Sequence, residues 1–125
     1  MATNNLKQAV AFLRTHKISH LATAADNVPT VRVMSVAHVE DDGVIWYASL
    51  VSSEKVAQIR RQPRVAISAF ADGTTVEIIG HAEIIADAEV KRTLWHESWQ
   101  PYFPNGHDDP DYVLIKITPD EVTVY

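Results

Sequence analysis

Apolar positions first repeat at helical spacing. Leu6, Ala9, Val10 and Leu13 share one face, with Thr3 or Asn4 available as caps and Lys17 near the end. From Ile18 the period changes to two. Ile18 to Ala25 reads as a strand, Asp26-Asn27 as a turn, and Val28 to Val39 as one long strand alternating around Arg32. Asp41-Asp42-Gly43 is turn chemistry, so Val44 to Ser49 is expected to pair back antiparallel as the third strand of a meander. Helical spacing returns from Ser53 to Gln62 and stops at Pro63. Strands resume over Arg64 to Phe70 and, after an Asp72-Gly73 hairpin turn, over Thr74 to Ile85. Gly80 in the second of these marks a bulge or a close backbone approach. Asp87 is placed to cap a third helix reaching about Trp99. A polar loop to Pro110 follows, then terminal strands Tyr112 to Thr118 and Val122 to Tyr125 divided by Pro119-Asp120.

Many strands, tight turns and two or three short helices predict a mainly β chain: a small antiparallel barrel, whose closure removes exposed edges. A doubly wound parallel sheet fits less well, because strands and helices do not alternate and no G-x-G-x-x-G occurs among four glycines. At 125 residues, residues 1–125 are expected to form one domain that buries a core without staples.

Composition narrows the partners. With 46% hydrophobic and 22% charged residues the chain is an ordinary globule, and its net charge of −5 opposes general attraction to nucleic acid or an anionic membrane. Any anion site must therefore be local. No cysteine is present, which removes disulfides, thiolate metal sites and a cysteine nucleophile, and agrees with a reducing compartment. The first seventeen residues hold only the short apolar run Ala9 to Leu13, so neither a secretory signal nor a membrane span is read there. A cytoplasmic protein is the expectation.

Candidate chemistry concentrates between Val28 and Phe70. Ser53 is a plausible N-cap, helix N-terminal N–H groups attract anions, and Lys55 and Arg32 supply point charge and planar donors for a phosphate. The aromatic pair Trp46 and Tyr47 lies beside that charge, which favours a flat phosphorylated cofactor over a free anion. Arg32 has a plainer reading as an exposed cross-strand salt-bridge partner. Arg60 and Arg61 read as a solvated helix face. Trp46 and Tyr47 point to opposite sides of one strand, so one is core and the other surface or site, with Tyr47 the weaker core candidate.

Trp95, Trp99, Tyr102 and Phe103 precede Pro104-Asn105-Gly106. They form either a lid over a ligand or a helix face with Trp95 and Trp99 one turn apart. His16 and His20 lack a third ligand, the remaining histidines show no ligand spacing, and Asp108, Asp109 and Asp111 lack the rest of a calcium loop, so no metal is predicted. No G-x-S-x-G, triad or paired-carboxylate signature supports a hydrolase.

Pro29-Thr-Val-Arg32-Val-Met34, Gly43-Val-Ile-Trp46-Tyr47, Ser53-Glu-Lys55-Val-Ala-Gln-Ile59, Gln62-Pro-Arg-Val65, Val76-Glu-Ile-Ile-Gly80-His-Ala82 and Phe103-Pro-Asn-Gly106 with Asp109-Pro110 stand in an order and spacing that resemble one family. It is that of the FMN-binding split barrels related to pyridoxamine 5'-phosphate oxidase, in particular the short bacterial branch of general stress proteins. The resemblance implies an antiparallel split β-barrel and FMN at the interface of a homodimer. Arg32, Val33, Met34 and Ser35 would run along the ring and ribityl chain. Lys55 would hold the phosphate with Ser53 nearby, and Tyr47 and Ala48 would contact the cofactor. Trp95, with the aromatic loop, would cover the flavin from the partner subunit.

The departures matter as much. Glu54-Lys55 stands where the vitamin-forming oxidases carry Arg-Lys, and Thr75 stands where they have a cofactor-touching glutamine. The arginine- and histidine-bearing C-terminal segment that holds their substrate is not found before Tyr125. True pyridoxamine phosphate oxidase activity is therefore not expected. Two classes remain: a flavin-dependent oxidoreductase passing electrons between a nicotinamide and a small acceptor, and a non-catalytic FMN-binding stress or sensor protein. A haem or deazaflavin barrel is a third.

Overall fold

The computed structural model describes residues 2–125; Met1 and the side chains of residues 2–4, among them the candidate caps Thr3 and Asn4, lie outside the described residues. In chain order the elements are α1 (Ala2–Thr15), β1 (Ile18–Ala25), β2 (Val28–Ser35), β3 (His38–Val39), β4 (Ile45–Leu50), α2 (Glu54–Arg61), β5 (Arg64–Ala71), β6 (Thr74–Ile85), α3 (Ala88–Thr93) and β7 (Tyr112–Val124). Two 3-10 turns, Glu97–Trp99 and Gly106–Asp108, lie between α3 and β7. The strands form one antiparallel sheet in the order β2-β1-β5-β6-β7-β4-β3, curled into a split barrel. None of the described helices is long and apolar enough to cross a membrane.

The hairpins follow from local chemistry. Asp26 and Asn27 (φ 54° and 65°) and Asp72 and Gly73 (φ 52° and 79°) both have two left-handed residues in sequence, the geometry that matches strand twist in a two-residue hairpin. The Asp41-Asp42-Gly43 turn is closed by the Gly43 N–H on the Glu40 carbonyl and by the Val44 N–H on the Asp42 carboxylate.

The expected continuous strand Val28 to Val39, and with it the three-strand meander, is not what forms. The chain bends at Val36-Ala37. The Val36 N–H still donates to Lys17 O (2.7 Å) beside β1, whereas the Ala37 N–H donates to Trp46 O (2.8 Å) on β4. Two consecutive buried residues thus join opposite edges of the sheet. β4 pairs with β3 at only two positions and runs its full length against β7. Alternation cannot reveal such a bend, because both halves keep a two-residue period while changing partner.

β7 is likewise one strand, not two. Opposite it, Ile79 pairs with Glu121 and Gly80 with Pro119, leaving Asp120 as the bulged residue. The bulge absorbs a proline that has no N–H to give. Gly80 is needed there, as the sequence led one to expect: a Cβ would stand 2.6 Å from the Thr118 carbonyl oxygen.

The sheet buries apolar side chains on both faces along β4 and β7. Ile45, Tyr47, Ile115 and Ile117 point into the barrel with Ala9, Leu13 and Ile59 from the helices. Trp46, Leu114 and Tyr112 point outward into a second core with Phe103. So Trp46 and Tyr47 are both buried. Tyr47, expected to be the weaker core candidate, is fully enclosed, and its hydroxyl meets Ser19 Oγ at 2.7 Å. Burial raises its pKa to about 12.

The third helix ends at Thr93, well before Trp99. Asp87 does cap it, accepting from the Glu89 and Val90 N–H groups at 2.9 and 3.1 Å. Beyond Thr93 the chain packs Leu94, Trp95 and Trp99 against the second core. Trp95 and Trp99 meet edge to face (5.7 Å) and both pack on Tyr112, at 5.4 and 5.8 Å.

Candidate functional site

A cavity of about 510 Å³ opens where the bend Val33–Ala37, the end of β4 and the start of α2 meet the aromatic loop. Its size lies within the range of small-molecule sites. Of the residues singled out from sequence, Val33, Met34, Ser35, Ala48 and Lys55 line it together. The opposite wall is His96, Ser98, Trp99, Tyr102 and Phe103.

Lys55 projects from the first turn of α2, and its Nζ donates to Ser49 Oγ at 3.2 Å. Ser49 Oγ is also 3.1 Å from Ser53 Oγ. Ser53 stands at the N-cap, as expected, yet its side chain makes no capping bond. Its hydroxyl turns to Ser49 instead, which leaves the leading N–H groups of α2 without a side-chain acceptor among the described residues. Ser49 was missed by the reading from sequence. The signal was the polar run Ser49, Ser52, Ser53, Lys55 bracketing the strand-to-helix turn.

Arg32 sits behind this group, outside the cavity lining. Its guanidinium donates to Leu21 O (3.2 Å), Thr23 Oγ1 (2.9 Å) and Gln58 Oε1 (3.0 Å), tying β2 to β1 and α2. The plainer reading, an exposed cross-strand salt bridge, is not what forms. Among the described residues no carboxylate is within ion-pair distance of Arg32 or Lys55. The pKa of Lys55 is lowered, first by burial and then by the charge of Arg32. Arg32 is also lowered by burial, with Glu54 opposing. Two half-buried cations, the charge of Arg32 disfavouring the protonated form of Lys55, create a local positive field in a chain of net charge −5. Arg61, by contrast, is paired with Asp26 at the surface.

Besides Arg32 and Ser53, which adjoin Lys55 without lining the cavity, three further sequence candidates do not line it. The Tyr47 side chain is inside the barrel, and strand alternation turns Ala48 to the cavity side instead. Thr75, at the start of β6, exchanges backbone hydrogen bonds with Tyr125 (2.5 and 2.9 Å). Trp95 packs against Trp99, Phe103 and Tyr112 and donates Nε1–H to Glu97 Oε2 at 2.8 Å.

The aromatic wall is anchored from beneath. Lys91 is buried, donates to Asp109 O at 3.2 Å and lies 5.1 Å from the Tyr112 ring centre. The buried Asp109 carboxylate accepts from the Asn105 and Asp111 N–H groups at 3.1 and 2.9 Å. Phe103 is buried in the second core while Tyr102 stays exposed at the rim.

A split barrel with a cationic cavity at a strand-to-helix turn defines the class of protein. The chain belongs to the family described as Pyridoxamine 5'-phosphate oxidase like, whose model matches residues 4–125. It is 31% identical over 129 residues to General stress protein 26 of Bacillus subtilis (strain 168), covering 98% of this chain and 89% of that protein. The crystal structure of General Stress Protein 26 from Bacillus anthracis str. Sterne superposes with a TM-score of 0.82 at 27% identity, over 99% of this chain and 94% of that one. The general stress FMN/FAD binding protein of Xanthomonas citri shares the fold, with a TM-score of 0.84 at 18% identity over 98% and 88% of the two chains.

Proposed function

We propose that this protein binds FMN in the cavity and acts as a flavin-dependent oxidoreductase on a small molecule. The observation that carries the reading is the environment of Lys55: an ammonium group at the cavity that donates to a serine hydroxyl, beside Arg32 and an α2 N-terminus without a side-chain cap. That donor set suits a terminal phosphate. The family supports a flavin, and the Xanthomonas citri relative is described as binding FMN or FAD. Arg32 holds the β1–β2–α2 junction rigid and contributes charge. Ser49 and Ser53 orient the Lys55 ammonium, and the Val33–Ala37 bend offers a backbone edge to a flat ring. When bound, the flavin supplies hydride or electron transfer.

Enzymatic use is favoured over storage by the position of Tyr102, whose side chain stays exposed at the rim instead of plugging the cavity. Glu54 and Thr75 remain departures from the pyridoxamine phosphate oxidases, and that reaction is not proposed. Two copies are proposed to enclose the cofactor, bringing Thr75 and Trp95 to it from the partner. The exposed side chains of Ile18, Val31, Val33 and Phe70 on the outer sheet face support this. A cytoplasmic location completes the reading and is checked by cell fractionation.

The test is an absorbance spectrum after adding FMN and removing the excess, then anaerobic mixing with NADH or NADPH. Retained flavin bands and their bleaching by a nicotinamide are the expected results. Protein that retains no flavin would refute the cofactor; flavin that no donor reduces would leave the stress or sensor role. A monomeric mass at micromolar concentration with FMN bound would overturn the dimer.

A further inference from the structure

We infer that the loop wall of the cavity is a second binding subsite, in which His96 selects a planar aromatic molecule carrying a carboxylate. The inference rests on the flavin reading for the occupant of the Lys55 end. Three observations carry it. His96 lines the cavity, is exposed, and stacks on Trp99 at 4.6 Å with planes 20° apart, while its ring nitrogens have no hydrogen-bond partner among the described residues. A ring N–H is thus available to an oxygen of a bound molecule. Next, Trp99 is braced by the edges of Trp95 and Tyr112, and the loop is held by buried Lys91 and Asp109, so the stack is a rigid platform. Stacking on a fixed ring surface favours a flat conjugated ligand.

Charge gives the third observation. Among the described residues no carboxylate lines the cavity, where Lys55 and His96 are the basic side chains. The loop's own acids are engaged elsewhere: Glu97 accepts from Trp95, Asp108 pairs with His107, and Asp109 holds Asn105 and Asp111. An anionic head is therefore met by donors and by no acidic lining residue. With Lys55 occupied by a phosphate, His96 and the neighbouring Ser98 hydroxyl remain as the donors for a second molecule. That molecule is the small partner whose electrons the flavin would exchange, and His96 sets its selection.

The experiment is a histidine-ring NMR titration with benzoate, 4-nitrobenzoate and 1-naphthoate, with neutral nitrobenzene as control, on protein with and without FMN. The His96 signals are assigned by their loss in His96→Ala. At least one carboxylate is expected to shift them saturably, while nitrobenzene binds about tenfold more weakly. By calorimetry, His96→Ala should weaken that carboxylate about tenfold yet leave FMN affinity within about twofold. If no carboxylate moves His96 in either form of the protein, or if nitrobenzene binds as tightly, the subsite is refuted. Failure of FMN to bind, read separately from flavin absorbance, would refute the flavin reading instead; carboxylate binding in that same protein would still uphold the His96 subsite. Trp99→Phe, which keeps a ring in place, should retain the His96 shift, and its folding is checked by thermal melting.

Discussion

Lys55 Nζ and Ser49 Oγ are joined at 3.2 Å across the turn where β4 ends and α2 begins. Ser49 is nearly buried, so the contact aims the ammonium while leaving it donors to spare. The relationship makes Lys55 the best-directed charge at the cavity.

Replacing Lys55 with Glu should therefore weaken FMN binding by at least about tenfold, since a charge-assisted hydrogen bond worth about 1.5–3 kcal/mol gives way to repulsion. Arg60→Glu, on the exposed side of the same helix, should change affinity little. Equal affinities of Lys55→Glu and the parent protein in a flavin-fluorescence titration would remove Lys55 from the site.

FMN affinity should also fall with rising pH, earlier than an ordinary lysine would dictate. Burial and Arg32 favour the neutral amine, so Lys55 loses its proton below the usual lysine range of about 10.4. The same shift stabilises the empty fold as pH rises between the lowered value and the ordinary one, because there the unfolded chain binds more protons. Affinity measured from pH 7 to 10 in Lys55→Arg, which keeps its charge, should be flatter than in the parent.

Tyr47 contributes in the opposite sense. Its pKa is raised to about 12, so between the ordinary value of about 10 and 12 the folded state keeps a proton that the unfolded state releases. The stability this provides is present below about pH 10 and lost above it, by up to about 3 kcal/mol. Tyr47→Phe should cost about 1 kcal/mol at neutral pH, through the lost bond to Ser19, and should reduce the alkaline loss in urea titrations. An unchanged alkaline slope would contradict the burial of this hydroxyl.

Gly80→Ala should destabilise by about 1–3 kcal/mol, because the new methyl group meets the Thr118 carbonyl oxygen and not a side chain that can swing away. Unaltered thermal stability would mean the β6–β7 bulge can shift freely.

Asp87→Ala should cost about 1 kcal/mol by releasing two amides at the start of α3. Val90 and Leu94 from this segment pack on the second core, so tryptophan fluorescence should report the loosening. An unchanged melting temperature would show that packing, not the cap, holds α3.

Much of the sheet was legible because turns carry local chemistry. Asp26-Asn27 and Asp72-Gly73 announce hairpins by residues that accept left-handed backbone, and Gly80 announced its close contact. The bend at Val36-Ala37 and the end of α3 were not legible. Each is settled by a distant partner, Trp46 O in one case and the ring of Tyr112 in the other.

Of the residues that line the cavity, Lys55 was marked by its chemistry and by resemblance, Ala48 and Val33–Ser35 by resemblance alone, and Ser49, His96 and Ser98 by neither. A serine or an exposed histidine carries no periodic signal. Its role appears only when the chain brings another group within reach.

The sequence by itself determined which segments are strands, which turns are tight and where cationic donors cluster, because propensity, alternation and charge are properties of neighbouring residues. Only the tertiary structure decided that two sheet edges meet at one bend, that Tyr47 faces the core and Ala48 the cavity, and that Lys55 and His96 line the same cavity. Those outcomes depend on register and closure, where a shift of one residue reverses every side chain along a strand.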